Sequence, residues 1–396
     1  MAVISPRRAA PGRRRERGLS LVEVLVAGLI SSMVLLAIYF VFISNTENFY
    51  RQEQAIQVQE RLRFALEYVK NDLRNAGRLT VVNGQTVSVE QVQGVLPYRA
   101  VTLFEDDPPV EVLVANDNGL RPDRIRLLVD TSGAAPLTVR SIFGDRILIS
   151  DELYQVSETT RAVVRDGNDN SFRSLFGEGT LAFVRSTQSG KFAIAAVQQA
   201  NYNGGQPEVV VDGARPLGLD AECGVGACQV NPVQLIEYAV VADPDDPTKT
   251  DLVRRRIHPD TDEILGPPVV IAEYVVNLQI WGTYDRRAIG VLVPEISADE
   301  DPRDDVGNWP AGLGGESIRM NTDPHRLRAF NVLLAVRSPR EDPEFKVAPD
   351  RQTPVDERVA ADRTWFEVDP VFETGLARVA TVVAEVETPN LNRGGL

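Results

Sequence analysis

Residues Leu19 to Ile43 form an unbroken apolar run of 25 in which Glu23 is the sole charged side chain. At about 1.5 Å per residue, a helix of this length spans roughly 37 Å, enough to cross a ~30 Å hydrocarbon core. Six arginines (Arg7, Arg8, Arg13, Arg14, Arg15 and Arg17) precede the run against the single Glu16. This basic segment would hold the start of the span on the cytoplasmic side. A secretory signal peptide fits less well, because the apolar run is too long and no small-residue cleavage site follows it before Asn45.

The basic head contrasts with an acidic body. The whole chain of 396 residues carries −14 and residues 1–18 carry +5, which leaves −19 on residues 19–396. Such a body repels phosphates and argues against nucleic acid as the main partner. With 43% hydrophobic residues, 29 Gly and 25 Pro, the composition is globular and rich in turns, which excludes collagen-like and mainly disordered chains.

Beyond the apolar run the helix is expected to continue. Asn45 to Ala76 contains neither Pro nor Gly. Ala55, Val58, Leu62, Ala65, Val69, Asp72 and Ala76 recur at three- and four-residue steps, with Asp72 the one polar member, and Ile56, Leu66 and Leu73 widen the stripe. Gly77 supplies the stop. Alternation then replaces helical periodicity. Strands are expected at Ile125–Val129, Arg146–Ser150, Leu181–Val184, Phe192–Val197, Val209–Val211, Ile236–Val240, Leu252–Ile257, Val269–Ile280, Phe330–Val336 and Val379–Val386. Asp166-Gly167, Ser189-Gly190, Asn203-Gly204-Gly205, Asp243-Pro244 and Gly266-Pro267-Pro268 are expected turns between them. No linker divides this β-rich body, and Asp285–Asp323 is an expected inserted loop.

Glu23 by itself would snorkel to the headgroups, since a carboxylate deep in a bilayer costs about 2.5–3.5 kcal/mol. Its setting points elsewhere. Arg17-Gly18-Leu19-Ser20-Leu21-Val22-Glu23, followed by the apolar helix, resembles the class III signal of type IV prepilins. Arg63-Phe64-Ala65-Leu66, Asp72-Leu73-Arg74 and Ala76-Gly77 are similar to the end of the helix in PilW-type minor pilins, a group that extends to the J-type minor pseudopilins of type II secretion. Asp123–Val129, Gly144–Ser150, Leu235–Tyr238 with Leu252–Arg255, Val275–Ile280 and Ala329–Arg337 resemble strands of the same group.

This resemblance implies an α+β fold: a long N-terminal pilin-type helix, transmembrane in its first half, carrying a large antiparallel β-rich head. The parts are a basic cytoplasmic prepilin leader (1–18), the helix (19–77, with 19–43 in the membrane) and an extracytoplasmic globular domain (78–396). It further implies cleavage by a prepilin peptidase between Gly18 and Leu19, N-methylation of Leu19, and an assembly role for Glu23, which would pair with an N-terminal amine in the fibre. The implied partners are other minor pilins, the major pilin and the inner-membrane assembly platform. The implied location is first the inner membrane, as a single-pass precursor, and then the pilus at the cell surface, in a tip or priming complex. The alternatives are a J-type minor pseudopilin and a signal-anchored extracytoplasmic binding or adhesion domain.

An enzyme is not expected. His258 and His325 both lie beside Pro, and no phosphate-binding glycine loop follows the leader. Asp166, Asn168 and Asn170, and separately Asp243, Asp245, Asp246 and Asp251, offer hard oxygens of the kind calcium prefers. Gly177 stands where the EF-hand glutamate would, and Asp and Asn are ordinary turn residues, so no cofactor is expected and calcium stands as the alternative. Cys223 and Cys228 flank four residues, and outside the cytoplasm a disulfide stiffening a surface loop is expected in preference to two free thiols.

Overall fold

The computed structural model describes residues 20–77, 100–104, 120–130, 136–150, 169–189, 191–203, 206–212, 218–219, 221–224, 226–246, 248–259, 261–284, 327–339, 365–367 and 376–389. Two compact units make up the chain, residues 1–56 and 57–396.

In the first unit, helix α1 (Leu21–Asn75, continuing into the second unit) exposes every side chain from Leu21 to Phe42. Among the described residues this is the one helix long and apolar enough to cross a membrane. Burial begins in the second unit. Val58, Leu62, Ala65, Leu66, Val69, Leu73 and Ala76 of the expected stripe are buried, whereas its first members, Ala55 and Ile56, are exposed. After Asn75 the chain turns at Gly77, whose φ of 73° suits a residue without Cβ and whose N–H bonds to Leu128 O at 3.3 Å.

The head contains fourteen described strands: β1 (Val101–Phe104), β2 (Arg124–Val129), β3 (Leu137–Phe143), β4 (Arg146–Ile149), β5 (Thr180–Ser186), β6 (Phe192–Asn203), β7 (Gln206–Val211), β8 (Cys228–Ala242), β9 (Thr250–Ile257), β10 (Ile264–Glu273), β11 (Val275–Tyr284), β12 (Leu327–Arg337), β13 (Trp365–Glu367) and β14 (Leu376–Glu387). A short helix, α2 (Asp169–Leu175), precedes β5. All the pairings described are antiparallel. An α+β chain with an apolar N-terminal helix and a large antiparallel sheet region is therefore the observed architecture.

Strand β8 organises the head. Its first part pairs with β3 on one side (Leu137↔Val230) and with β5 on the other (Leu181↔Val233). The pairings β3–β4, β4–β7, β7–β6 and β6–β5 then close a ring of six strands. Ala182 and Val184 of β5 join Val139, Ile147, Val209 and Val230 in the interior of this barrel, together with Phe172 of α2 and Phe176 just after it. The alternate residues Leu181 and Phe183 pack outside it against Leu128 and Val233, as a strand period of two requires.

The second part of β8 belongs to a different layer. It pairs with β2 and β9, which in turn carry β1 and β10. Ile125, Leu127, Ile236, Tyr238, Val240 and Leu252 of this sheet share one core with the buried stripe of α1. A second sheet, in the order β11-β12-β14-β13, adds Leu278, Phe330 and Leu334 to the same core.

Two sequence expectations change here. Val269–Ile280 is two strands, broken at Tyr274, where φ is 60° and the chain leaves the first sheet for the second. Gly266-Pro267-Pro268 lies within β10 as a bulge, because the register jumps from Leu265↔Arg256 to Val269↔Arg254. Proline is tolerated there because, among the described residues, β10 pairs only with β9, so its other edge needs no N–H donor. Next to this hairpin, a Cβ on Gly179 would lie 1.8 Å from Leu265 Cδ1, so a side chain there would displace that of Leu265, and the φ of 74° also favours glycine. Asp285–Asp323 falls outside the described residues.

Candidate functional site

The sequence places the functional chemistry at the start of α1. Gly18 and Leu19 lie outside the described residues, whereas Glu23 occupies the first helical turn. Glu23 Oε2 accepts a hydrogen bond from the Ser20 N–H at 2.9 Å, and Ser20 Oγ accepts one from the Glu23 N–H at 3.2 Å. This reciprocal pair is a capping box, which satisfies two amide groups that the helix leaves without partners. A Ser three residues before a Glu, at the head of an apolar run, is its sequence signature.

At the other end of α1, Asp72 interrupts the apolar stripe for a visible reason. Tyr238 Oη donates to Asp72 Oδ2 at 2.6 Å, and Arg254 Nε donates to the same oxygen at 2.8 Å. Burial pushes the Tyr238 phenol far above its ordinary value, and the neighbouring Asp72 charge adds to the shift. Burial alone would lower Arg254, but its bond to Asp72 more than offsets this and raises it. Asp72 thus anchors helix to sheet through both β8 and β9.

The second set of acidic candidates surrounds a cation supplied by the chain itself. Lys249 Nζ lies 2.7 Å from Asp243 Oδ2, 3.1 Å from Asp251 Oδ2 and 3.3 Å from Glu273 Oε1. Burial pulls Lys249 down, yet bonds to Asp243 and Asp251 hold it above its ordinary value. The hydrogen bond from Lys249 lowers Asp243, whereas burial raises Asp251. Asp245 N bonds to Asp243 Oδ1 at 2.9 Å and Thr248 N to Asp246 Oδ1 at 3.0 Å, so these residues build a turn around Lys249. Beside them the Tyr274 ring faces Arg61, Lys249 and Arg337, whose cationic centres lie 5.3, 5.6 and 4.9 Å from its centroid. Tyr274 N bonds to Asp251 Oδ1 at 3.3 Å and Tyr274 O accepts from Arg337 N at 2.9 Å, which holds the left-handed residue between the sheets.

Asp166 and Asn168 lie outside the described residues, and Asn170 falls in α2. Among the described residues no group of three or more His, Cys, Asp or Glu side chains converges to hold a metal. Cys223 and Cys228 are joined in a disulfide. Both side chains are buried in the barrel core with Leu219 and Val230, beneath a loop whose Ala221, Gly224 and Gly226 are exposed. The adjoining Glu222 accepts from Ser189 Oγ at 2.5 Å and pairs with Lys191, and these contacts lower its pKa, the Lys191 hydrogen bond most. His258 Nδ1 accepts from Thr261 N at 3.3 Å in the β9–β10 turn, and His325 lies outside the described residues.

The outer face of the helix-bearing sheet carries a group that the sequence pattern did not single out. Glu237, fully buried, accepts from Arg126 Nε at 2.6 Å and Arg255 Nε at 2.7 Å, with Arg124 Nη1 at 3.4 Å. Arg124 and Arg126 both lie over the Phe104 ring, 4.2 and 5.0 Å from its centroid. The alternation in Asp123-Arg124-Ile125-Arg126 signals two arginines on one face, but their shared carboxylate becomes visible only once β2 and β8 are paired.

No family model, curated protein or solved structure matches the chain.

Proposed function

We propose that the chain is a non-enzymatic fibre subunit, a minor pilin of the PilW type that helps to initiate and assemble a type IV pilus. The observation that carries this reading is the Ser20–Glu23 start of an exposed apolar helix, directly after Arg17-Gly18-Leu19, on the same helix whose later residues are built into a β-rich head. Gly18 and Leu19 form the processing site for a prepilin peptidase, and Glu23 is the residue committed to assembly. The apolar stretch from Leu19 to Ile43 holds the precursor in the inner membrane and later packs against the helices of other minor pilins and the major pilin. A carboxylate in that environment persists when a cation meets it, which an N-terminal amine supplies. The size of the head suits a tip or priming position, where it need not be stacked repeatedly along the fibre.

N-terminal mass spectrometry on protein from membranes and from sheared surface fibres of the native cell tests this reading. N-methylated Leu19, recovered in sheared fibres, is the expected result. An intact leader, or a cut near Asn45, would overturn it.

A further inference from the structure

The geometry points to the open edge of β14 as a strand-pairing surface, on which a second copy of this chain docks antiparallel about a twofold axis at Val383. Strand β13 covers only Leu376 to Arg378 of that edge, so among the described residues Val379 to Glu387 pair with β12 alone. Within a covered sheet, alternation would bury every second side chain. From Val379 to Glu385, however, every residue is at least partly exposed whichever face it lies on, and Val383 is 51% exposed. The direction of the amide groups is fixed. Ser338 N bonds to Arg378 O at 2.8 Å and Thr388 N to Arg328 O at 2.9 Å, and the β12–β14 register runs between them without a shift. The even-numbered residues of β14 therefore turn N–H and C=O towards β12, and Val379, Thr381, Val383, Glu385 and Glu387 turn theirs outward. No proline, lysine, glycine or bulge blunts this row. By contrast β10, whose outer edge is likewise unpaired among the described residues, carries the Pro267-Pro268 bulge that discourages pairing.

A second copy fits because the edge is complementary to itself. Strand β13 limits the open row at one end and Glu387 ends β14 at the other, so full overlap of two such rows is centred on Val383. Val383 then faces itself, Thr381 faces the copy's Glu385, and Val379 faces its Glu387. Each of these pairs joins two outward-turned residues, which is what an exchange of backbone hydrogen bonds requires. Thr381 Oγ1 is buried without a hydrogen-bond partner, and the opposed Glu385 carboxylate is an acceptor for it. No carboxylate faces another across this register. On the other face Ala380, Val382 and Ala384 are only partly buried against the main core, and the copy's Val386, Ala384 and Val382 would cover them. The surface belongs to the head and does not depend on the fibre reading.

The test is thiol cross-linking of the full chain with a short bis-maleimide, in detergent micelles kept in molar excess over protein. Cys223 and Cys228 are the two cysteines of the chain and are joined to each other, so Val383→Cys introduces the sole free thiol. A covalent dimer is expected for Val383→Cys and not for Phe143→Cys, whose site at the end of β3 is 65% exposed. Adding Thr381→Pro, which removes an outward N–H and leaves the bonds to β12 in place, should lower the dimer yield about tenfold. Thr381→Glu, which sets a carboxylate against the copy's Glu385, should lower it about fivefold. If Thr381→Pro does not fold, Thr381→Glu decides. No dimer from Val383→Cys, equal yields from Val383→Cys and Phe143→Cys, or a yield unchanged by the folded Thr381 variant would each overturn the proposal. So would cross-linking of Val383→Cys in native membranes to a different polypeptide, which would assign the edge to a foreign strand.

Discussion

Tyr238 Oη donates a 2.6 Å hydrogen bond to Asp72 Oδ2 and so ties β8 to α1 across 166 residues of chain. Arg254 shares the same oxygen at 2.8 Å, so one carboxylate at a position that the helical stripe reserves for an apolar side chain serves two strands. Without these partners Asp72 would oppose the packing that the rest of the stripe favours. With them it fixes which turn of the helix meets which residues of the sheet.

Removing either partner should therefore destabilise the head by different amounts. Tyr238→Phe loses one hydrogen bond to a charged acceptor and should cost about 1–2 kcal/mol. Asp72→Ala leaves the half-buried Arg254 without its carboxylate and should cost about 3 kcal/mol. Denaturant unfolding of the full chain in micelles, followed by tryptophan fluorescence, measures both. If the two variants lose the same stability, Arg254 draws nothing from Asp72.

The same contact predicts how stability responds to alkali. Burial raises Tyr238, and its acid partners raise Lys249 against the opposing effect of burial. In the unfolded chain these groups release their protons near pH 10, while the fold retains them. Each contribution is thus complete below about pH 10 and is lost as pH rises beyond it. Tyr238→Phe removes one of the two, so its stability should fall less steeply than that of the wild type between about pH 9 and 11. Equal slopes would mean that Tyr238 ionises as easily folded as unfolded.

Much of this arrangement could be read from local pattern. The apolar run, the stripe from Val58 to Ala76 and the alternation in β2, β5, β9 and β12 are consequences of neighbours three, four or two residues apart. The barrel is not. Its closure depends on β8 pairing with both β3 and β5, contacts between segments that no local period connects. Val269–Ile280 looks continuous because each residue fits a strand, and the break at Tyr274 comes from partners far along the chain, Asp251 and Arg337. Gly266-Pro267-Pro268 carries the chemistry of a turn but lies in β10, whose other edge pairs with no strand among the described residues and where a bulge meets the same steric demands. The start of α1 shows the opposite case. Ser20-Leu21-Val22-Glu23 spells a capping box in sequence, and the two hydrogen bonds that the pattern requires are formed.

The buried disulfide should act on the barrel and leave the seat of α1 untouched. Closing so short a loop constrains the unfolded chain by about 2 kcal/mol. Cys228 begins β8, and Gly226 N, within the loop, bonds to Val139 O at 3.3 Å. Reduction should speed amide exchange in β3, β5 and the first part of β8, and leave Leu62 to Leu73 of α1 unchanged, when followed by exchange mass spectrometry. Equal loosening of both regions would show that barrel and helix-bearing core unfold as one unit.

Glu23 caps α1, and the fibre-subunit proposal gives it a second task, in assembly, that substitutions can separate from the first. As the last residue of the capping box it steadies the first turn, and Ser20→Ala should cost about 1 kcal/mol there, raising amide exchange at Val22 to Val24 about fivefold. Glu23→Ala should loosen the same turn to a similar degree. If capping were its whole task, the two variants would enter fibres equally well. On the fibre-subunit proposal, Glu23→Ala should be absent from sheared fibres although it remains in the membrane, while Ser20→Ala, which retains the carboxylate, should still be incorporated. Immunoblots of sheared and membrane fractions compare them directly. Equal incorporation would reduce Glu23 to a helix cap.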